Sequence, residues 1–294
     1  MTPSTATEDA SCGPSYDGPM SPMPSQRDRV RVLTWNLWWR FGPWRERQPG
    51  ILATLRDEDA DVICLQEVWA SDGGEDQARM LADALGYSFC RTPSPFWEGF
   101  SFGNAILSRW PILGCDAHPL PDGRGQSSHR SALHASIDAP FGLVHVICTH
   151  IDYRFDRSTT RVAQTRAVAE LVASVRGVAE TEFPVVVAGD FNAMSDSDEM
   201  RSLLGRSEPP VPGLIFHDAW ELAGNGTVGY TWSSANPHLA DAMWPNRRLD
   251  YVLVSWPRPK GVGTPVACRV TGTSPIEGVV PSDHYAVVAD LRVR

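Results

Sequence analysis

The sequence predicts an α/β fold in which mixed β-sheets carry helices on their outer faces. Three observations predict it. Short apolar runs outnumber helical stretches. Few of the connections between those runs are long enough for the helical crossover that a parallel neighbour requires. Pro and Gly separate the runs at strand-like intervals. Sheets containing both strand directions, with helices outside, satisfy all three.

Residues 1–28 are rich in Pro, Ser, Thr and Gly without apolar periodicity and read as a disordered leader. Residues 29–294 then form one domain, since no second linker-like stretch follows. Residues 30–35 and 61–67 (DVICLQE) are the first strands. Residues 77–85 have helical spacing, with Gly86 as the stop. Residues 104–107, 132–137 and 143–149 are short β-rich runs. The clearest helix spans 159–176, with Val162, Val168, Leu171, Val172 and Val175 as its apolar stripe. Residues 184–188 form a strand, 198–204 a short helix, and 248–254 and 284–293 the last strands.

The 294 residues are 42% hydrophobic, enough for a substantial core, and carry a formal net charge of −9. That balance argues against a broad basic face for duplex nucleic acid, whose affinity comes from lysine and arginine displacing counterions. One local positive groove keeps nucleic acid open as a partner. No apolar run approaches the length of a transmembrane helix, and no basic segment followed by an apolar one marks a signal peptide. A cytoplasmic protein follows. The six cysteines show no CxxC pairing and read as reduced thiols. No protein partner is inferable.

One pattern repeats along the chain: an apolar strand ends in a carboxylate, an amide or a histidine. Asn36 ends VLTWN, Glu67 ends VICLQE, His150 ends VHVICTH, and Asp190 and Asn192 close VVVAGDFN. Asp250 lies in RRLDYVLV, and Asp283-His284 precede the final strand. Strand ends of α/β sheets form the crevice where ligands bind. Glu67, Asp283 and the amide oxygen of Asn36 suit Mg²⁺, which takes hard oxygen ligands. Asp190 is placed to deprotonate an attacking water, with Asn192 fixing that water or a phosphate oxygen. Asp250 would orient His284, and His150 would contact a non-bridging oxygen. Taken singly, an Asp or Asn after a strand is usually a turn former and a lone histidine more often structural; the combination changes the odds.

The set Trp35-Asn36, Leu65-Gln66-Glu67, Thr149-His150, Gly189-Asp190-Phe191-Asn192, Arg248-Leu249-Asp250-Tyr251 and Ser282-Asp283-His284 closely resembles the endonuclease/exonuclease/phosphatase superfamily, in the family's order. The resemblance implies a four-layer αββα sandwich with two mixed sheets packed face to face. It implies that 29–294 is a catalytic domain hydrolysing a phosphoester by in-line attack of water, with Mg²⁺ or Mn²⁺ as cofactor. It also implies that Asn36, Glu67 and Asp283 serve the metal, Asp190 is the base with Asn192 as its partner, Asp250 orients His284, and His150 contacts phosphate.

The family spans nucleases, phosphatases and sphingomyelinases, so the fold does not fix the substrate. Gln66 to Trp69 and Arg161-Val162-Ala163-Gln164 are similar to segments of sphingomyelinases and deadenylases. The segment after Asn36 departs from that of abasic-site repair enzymes. A small or lipid-like phosphorylated compound is therefore the expected substrate, and an endo- or exonuclease acting on DNA or RNA is the alternative. Trp39, in a tryptophan-rich stretch, reads as part of an aromatic wall or as corner packing. Arg130 and Asn104 are candidates for substrate binding, each with an ordinary structural reading beside it.

Overall fold

Two β–α–β units organise the chain. The computed structural model describes residues 28–92, 95–122, 127–177, 182–241, 244–256 and 258–294; the expected leader, apart from Asp28, lies outside them. The first half runs through β1 (Arg29–Asn36), α1 (Trp44–Glu58), β2 (Val62–Val68), α2 (Gln77–Leu85), β3 (Ser88–Arg91), the hairpin β4 (Pro95–Trp97) and β5 (Phe100–Ser101), and β6 (Gly103–Ser108). The second contributes β7 (Ile112–Pro121), β8 (Ser127–Ala139), β9 (Gly142–His150), α3 (Ser158–Val175), β10 (Val186–Asp190), α4 (Asp198–Leu203), β11 (Phe216–Asp218), α5 (Ala219–Ala223) and β12 (Asp250–Ser255). β13 (Pro265–Thr271) and β14 (Ala286–Arg292) return to the first sheet.

The strand orders are β13-β14-β1-β2-β6-β3 and β11-β12-β10-β9-β8-β7. Each sheet contains one parallel pair, β1 with β2 and β9 with β10, and every other pairing is antiparallel. The parallel pairs are those bridged by the long helices α1 and α3, which supply the crossover length. The sheets face each other over Val32, Val62, Cys64, Ile106, Val146, Val186, Val252 and Val287. Leu33, Ile63 and Leu65 turn outward against Ile51, Leu55 and Leu81 of α1 and α2. Ile147, Val187 and Leu253 do the same against Val168, Val172, Met200 and Leu203 of α3 and α4. This is a four-layer sandwich. Among the described residues no helix is long and apolar enough to cross a membrane.

α2 begins and ends as expected: Asp76 caps Arg79 N, and Gly86 closes it at φ 71. α1 leaves little trace in the sequence, because Pro49 and Gly50 interrupt its middle. β7 holds two prolines, which a strand tolerates because it lies at the sheet edge. The α3 stripe needs correction. Val168, Ala169 and Val172 are buried, but the N-terminal half buries Thr160, Arg161, Gln164 and Thr165 instead of Val162. The reduced-thiol expectation fails at one pair: Cys90 and Cys115 form a disulfide joining β3 and β7, the edge strands of the two sheets. The sandwich brings these edges together across 25 residues of sequence, a spacing that carries no signal of its own. Cys64, Cys148 and Cys268 are buried free thiols; Cys12 lies outside the described residues.

Candidate active site

Side chains of a strand alternate between faces, and that alternation builds half of the site. Val186 and Ala188 of β10 face the other sheet, so Asp190 does too. Register sets His150 of β9 and Asp250 of β12 beside it on either side. The approach of β9 and β10 requires Gly189, where a Cβ would stand 1.9 Å from the Thr149 carbonyl oxygen. β12 and β14 run antiparallel to their neighbours, so Asp250 and Asp283-His284 reach the same rim from strand beginnings rather than strand ends.

Across the cleft the same rule places Asn36 inward, but it selects Gln66 rather than Glu67. Gln66 is buried between the sheets, donating to Thr34 Oγ1 at 3.1 Å and to Cys148 Sγ at 3.2 Å. Glu67 escapes outward placement because a bulge interrupts the β2–β6 register between Leu65 and Val68, with Glu67 at φ 55. Its Oε1 then lies 3.9 Å from His150 Nε2.

Asp190 is the hub. Its Oδ2 accepts from Asn36 Nδ2 at 3.0 Å, and its Oδ1 accepts from Asn192 N at 2.9 Å. His150 Nε2 lies 3.5 Å and His284 Nε2 3.9 Å from Oδ2. Burial, with Asp250 nearby, pushes the Asp190 carboxyl up to about 6. His284 Nδ1 meets Asp250 Oδ2 at 2.9 Å. Burial opposes a charge on His284, but Asp250 and Asp190 outweigh it and hold the imidazole well above its usual range. His150 goes the other way, neutralised by burial and by Arg130. Arg130 Nη1 sits 2.8 Å and 2.9 Å from the two ring nitrogens of His150, and its guanidinium carbon lies 5.8 Å from the Phe102 ring centroid and 5.7 Å from that of Tyr153. Arg130 is therefore turned into the site.

Among the described residues, Asp190, Asp250 and His284 bring ligand atoms within 4.8 Å of one another. His284 and Asp250 pair through Nδ1 and Oδ2 while Asp250 Oδ1 stays buried without a hydrogen-bond partner, so the cluster sets the Asp190 carboxyl beside an oriented imidazole. The donors that fit a hard cation are those of Glu67, Asp283 and Asn36. Glu67 Oε2 is buried without a hydrogen-bond partner, and an unpaired buried carboxylate oxygen is costly unless something positive completes it. Burial raises the Glu67 carboxyl and lifts Asp283 to about 6. Asn36 Oδ1 accepts from Trp38 N at 2.9 Å, which leaves a second lone pair.

Two expected contacts serve the scaffold. Asn104 Nδ2 donates to the Ser131 carbonyl at 2.8 Å, across the sheets. Trp39 is buried, and its Nε1 donates to the Ser101 carbonyl at 2.8 Å. Asn192 Nδ2 donates to the Ile151 carbonyl at 3.2 Å, with the backbone at φ 46.

The supports of the site are what sequence reading missed. Arg47 is fully buried, and its guanidinium donates to the carbonyls of Leu37, Trp38, Trp39, Phe41 and Pro281. It thus ties the loop after Asn36 to the segment before Asp283. Ser282 Oγ donates to the Asn36 carbonyl at 2.7 Å. Asn236 Nδ2 donates to the Ser282 and Asp283 carbonyls. Thr231 Oγ1 accepts from Leu249 N and Asp250 N. Of these only Ser282 carried a signal, as part of the Ser-Asp-His motif.

A two-sheet sandwich whose rim gathers carboxylates, amides and two histidines defines a metal-dependent phosphoester hydrolase. The chain belongs to the Endonuclease/Exonuclease/phosphatase family, whose model matches residues 33–284. The Escherichia coli (strain K12) protein YbhP is 30% identical over 186 residues, covering 58% of this chain and 70% of YbhP. A putative neutral sphingomyelinase of Drosophila melanogaster is 25% identical over 202 residues, covering 61% of this chain and 42% of its own length. The crystal structure of an endonuclease/exonuclease/phosphatase from Beutenbergia cavernae superposes with a TM-score of 0.69 at 27% identity, covering 90% of this chain and 72% of that one.

Proposed function

We propose that residues 29–294 form a Mg²⁺-dependent hydrolase, with Mn²⁺ as substitute, that cleaves a phosphodiester or phosphomonoester of a small or lipid-like compound by in-line attack of water. One observation carries the reading: Asp190 is a buried carboxyl lifted to about 6, aimed by Asn36 and flanked by both imidazoles. A base poised near neutrality is what deprotonating water requires. Asp190 takes the proton, and Asn192 holds the water or a phosphate oxygen. His284, kept charged by Asp250, donates to an oxygen of the phosphate. His150, with Arg130 behind it, contacts a second oxygen, and the fixed donors need no rearrangement as charge grows. Glu67, Asp283 and Asn36 would hold the cation. When bound, it neutralises charge on the phosphate and steadies the leaving oxygen.

The lipid-like substrate is supported by the sphingomyelinase relative, by the exposed aromatics Phe41 and Tyr153, and by the acidic net charge. The Arg161-to-Gln164 segment contributes nothing to it. Arg161 pairs with Glu199, and Gln164 holds Asp152 N and the Pro121 carbonyl, so the likeness there reflects scaffolding. One observation favours the nuclease alternative: exposed Trp244 packs 4.6 Å from Phe155, with Arg247 3.9 Å over the Phe155 ring. Aromatic faces backed by arginine are what single-stranded bases stack on. A cytoplasmic site of action, expected from the sequence, requires that Cys90 and Cys115 be thiols in the cell.

The test is hydrolysis of bis-p-nitrophenyl phosphate, sphingomyelin vesicles, phosphorylated metabolites and single-stranded DNA with Mg²⁺, by wild type and Asp190→Asn. The expected result is turnover of a non-nucleic substrate, reduced about 10²–10⁴-fold in the variant. Undiminished turnover in Asp190→Asn overturns the base assignment. Preferential degradation of DNA, equally dependent on Asp190, replaces the lipid-like reading with the nuclease one.

A further inference from the structure

The rim of the second sheet holds a cation that the hydrolytic steps do not use. β9 and β12 flank β10, with His150 and Asp250 in register with Asp190. The loops that continue from those two residues are pinned to the end of β10. Ile151 N donates to the Asp190 carbonyl, and Phe191 N donates to the Leu249 carbonyl. Farther out the same loops meet again. Trp244 packs 4.6 Å from Phe155, and the Arg247 guanidinium carbon lies 3.9 Å from the Phe155 ring centroid. Three residues, at most about 11 Å of chain, separate Arg247 from Asp250. The contact therefore stands just beyond the end of β10 that bears Asp190.

Arg247 differs from the arginines around it. Arg154 pairs with Asp152, Arg161 with Glu199, Arg157 with Asp156 at 3.8 Å and Arg248 with Asp218 at 2.7 Å. Among the described residues no carboxylate pairs with Arg247. Its buried Nε has no acceptor, while the terminal nitrogens reach solvent. Burial, and after it the like charge of Arg161, acts against the charge on Arg247. An aromatic face fixes a guanidinium without cancelling that charge, and the edge donors stay open to an anion.

We propose that Arg247, stacked on Phe155, holds a second phosphate of the substrate, one that is not cleaved. The proposal rests on the phosphoesterase reading above and narrows its small phosphorylated compound to one with two phosphate groups. A guanidinium fork matches phosphate oxygens in pairs, and a non-scissile phosphate supplies the anion that Arg247 lacks. The ring fixes the fork before anything binds, so little freedom is lost on capture. An anchored second phosphate then holds the first in place for attack beside Asp190. A lipid headgroup with a single phosphate gains nothing from this contact.

The experiment compares two chromogenic esters in Mg²⁺, thymidine 5′-(p-nitrophenyl phosphate) and the same ester carrying a 3′-phosphate. Wild type should favour the doubly phosphorylated ester at least about tenfold in kcat/KM, chiefly through KM. Arg247→Gln should bring that ratio close to one, and Arg247→Lys should keep part of it. The ratio is internal to each variant, so a general loss of stability leaves it unmoved. Calorimetry with thymidine 3′,5′-bisphosphate and thymidine 5′-phosphate reads the same subsite without turnover. A wild-type preference in binding, lost in Arg247→Gln, supports the subsite even where neither ester is hydrolysed, a result that would count against the hydrolase reading alone. Equal binding of the two nucleotides by wild type, as a platform that only stacks the base would give, overturns the proposal. So does a preference that survives in Arg247→Gln.

Discussion

The two β–α–β units reach one catalytic rim by different means. In the second, β9 and β10 deliver His150 and Asp190 by simple alternation, with Gly189 allowing the strands to close and left-handed backbone only at Asn192, beyond the strand. In the first, β1 and β2 deliver Asn36 and Glu67 through distortion. Glu67 sits in a bulge at φ 55, and Trp38 and Trp39 follow Asn36 at φ 56 and 36. Such backbone costs about 1–3 kcal/mol per residue and persists only where its surroundings over-determine it. Arg47, donating to five carbonyls, supplies that restraint. The Asp190 side of the site is thus built into a sheet, and the Glu67 side is held on a sheet by a clamp.

The largest effect that can break this division is catalytic. Asp190→Asn should lower kcat about 10³-fold, within the range for a lost general base, and leave the Mg²⁺ concentration for half-maximal activity unchanged. Glu67→Gln should raise that concentration at least about tenfold, because it replaces a hard anionic ligand by a neutral one. Initial rates over a metal titration check both. Equal displacement of the metal curve by the two variants would show that the halves do not divide the labour.

The same contrast explains what could be read from sequence. The run ending at Asp190 is legible because apolar residues, a glycine and a carboxylate follow one strand period. Glu67 is not legible that way, since alternation nominates Gln66; only the family motif recovers it, and the bulge supplies the reason. α1 and Arg47 were invisible because Pro49 and Gly50 break the helical pattern, and a buried arginine looks like a solvated one. In α3 the apolar stripe misled, since its N-terminal half buries Arg161 and Gln164 to hold the loop after His150. The side-chain donors of Asn104 and Trp39 go to the carbonyls of Ser131 and Ser101, which no local pattern reveals. The Cys90–Cys115 pair depends on how two sheet edges meet, which no local pattern encodes.

A second contrast concerns stability. Arg47→Ala leaves five carbonyls without their donor and should cost about 3–4 kcal/mol, since each buried group pays its own desolvation. The guanidinium stays charged at neutral pH although burial lowers it to about 10, so its loss removes charge-assisted bonds. The corresponding support in the second half is milder. Thr231→Val deprives Leu249 N and Asp250 N of one shared acceptor and should cost about 1–2 kcal/mol. Urea midpoints at unchanged m measure both. A Thr231 cost equal to that of Arg47 would remove the distinction between clamp and sheet.

The smallest effect is the most local. The strands of the first sheet contain no histidine, whereas β7, β8, β9 and β11 of the second all do. His134, held at about 4 by burial and its histidine neighbours, and His145, also lowered, stay neutral in the fold. Unfolded histidine protonates near 6.5. Between that value and about 4 the opened chain binds more protons than the closed one, so stability falls as pH falls through this window. Amide exchange at pH 5, corrected for intrinsic rates, should therefore quicken in the middle of β8 and β9 relative to pH 7, and stay level in β1 and β2. Replacing His134 by Gln should flatten that difference. Equal acid-induced quickening in the two sheets would mean that titration elsewhere governs acid stability, and that the histidine face of the second sheet is no weaker than its histidine-free counterpart.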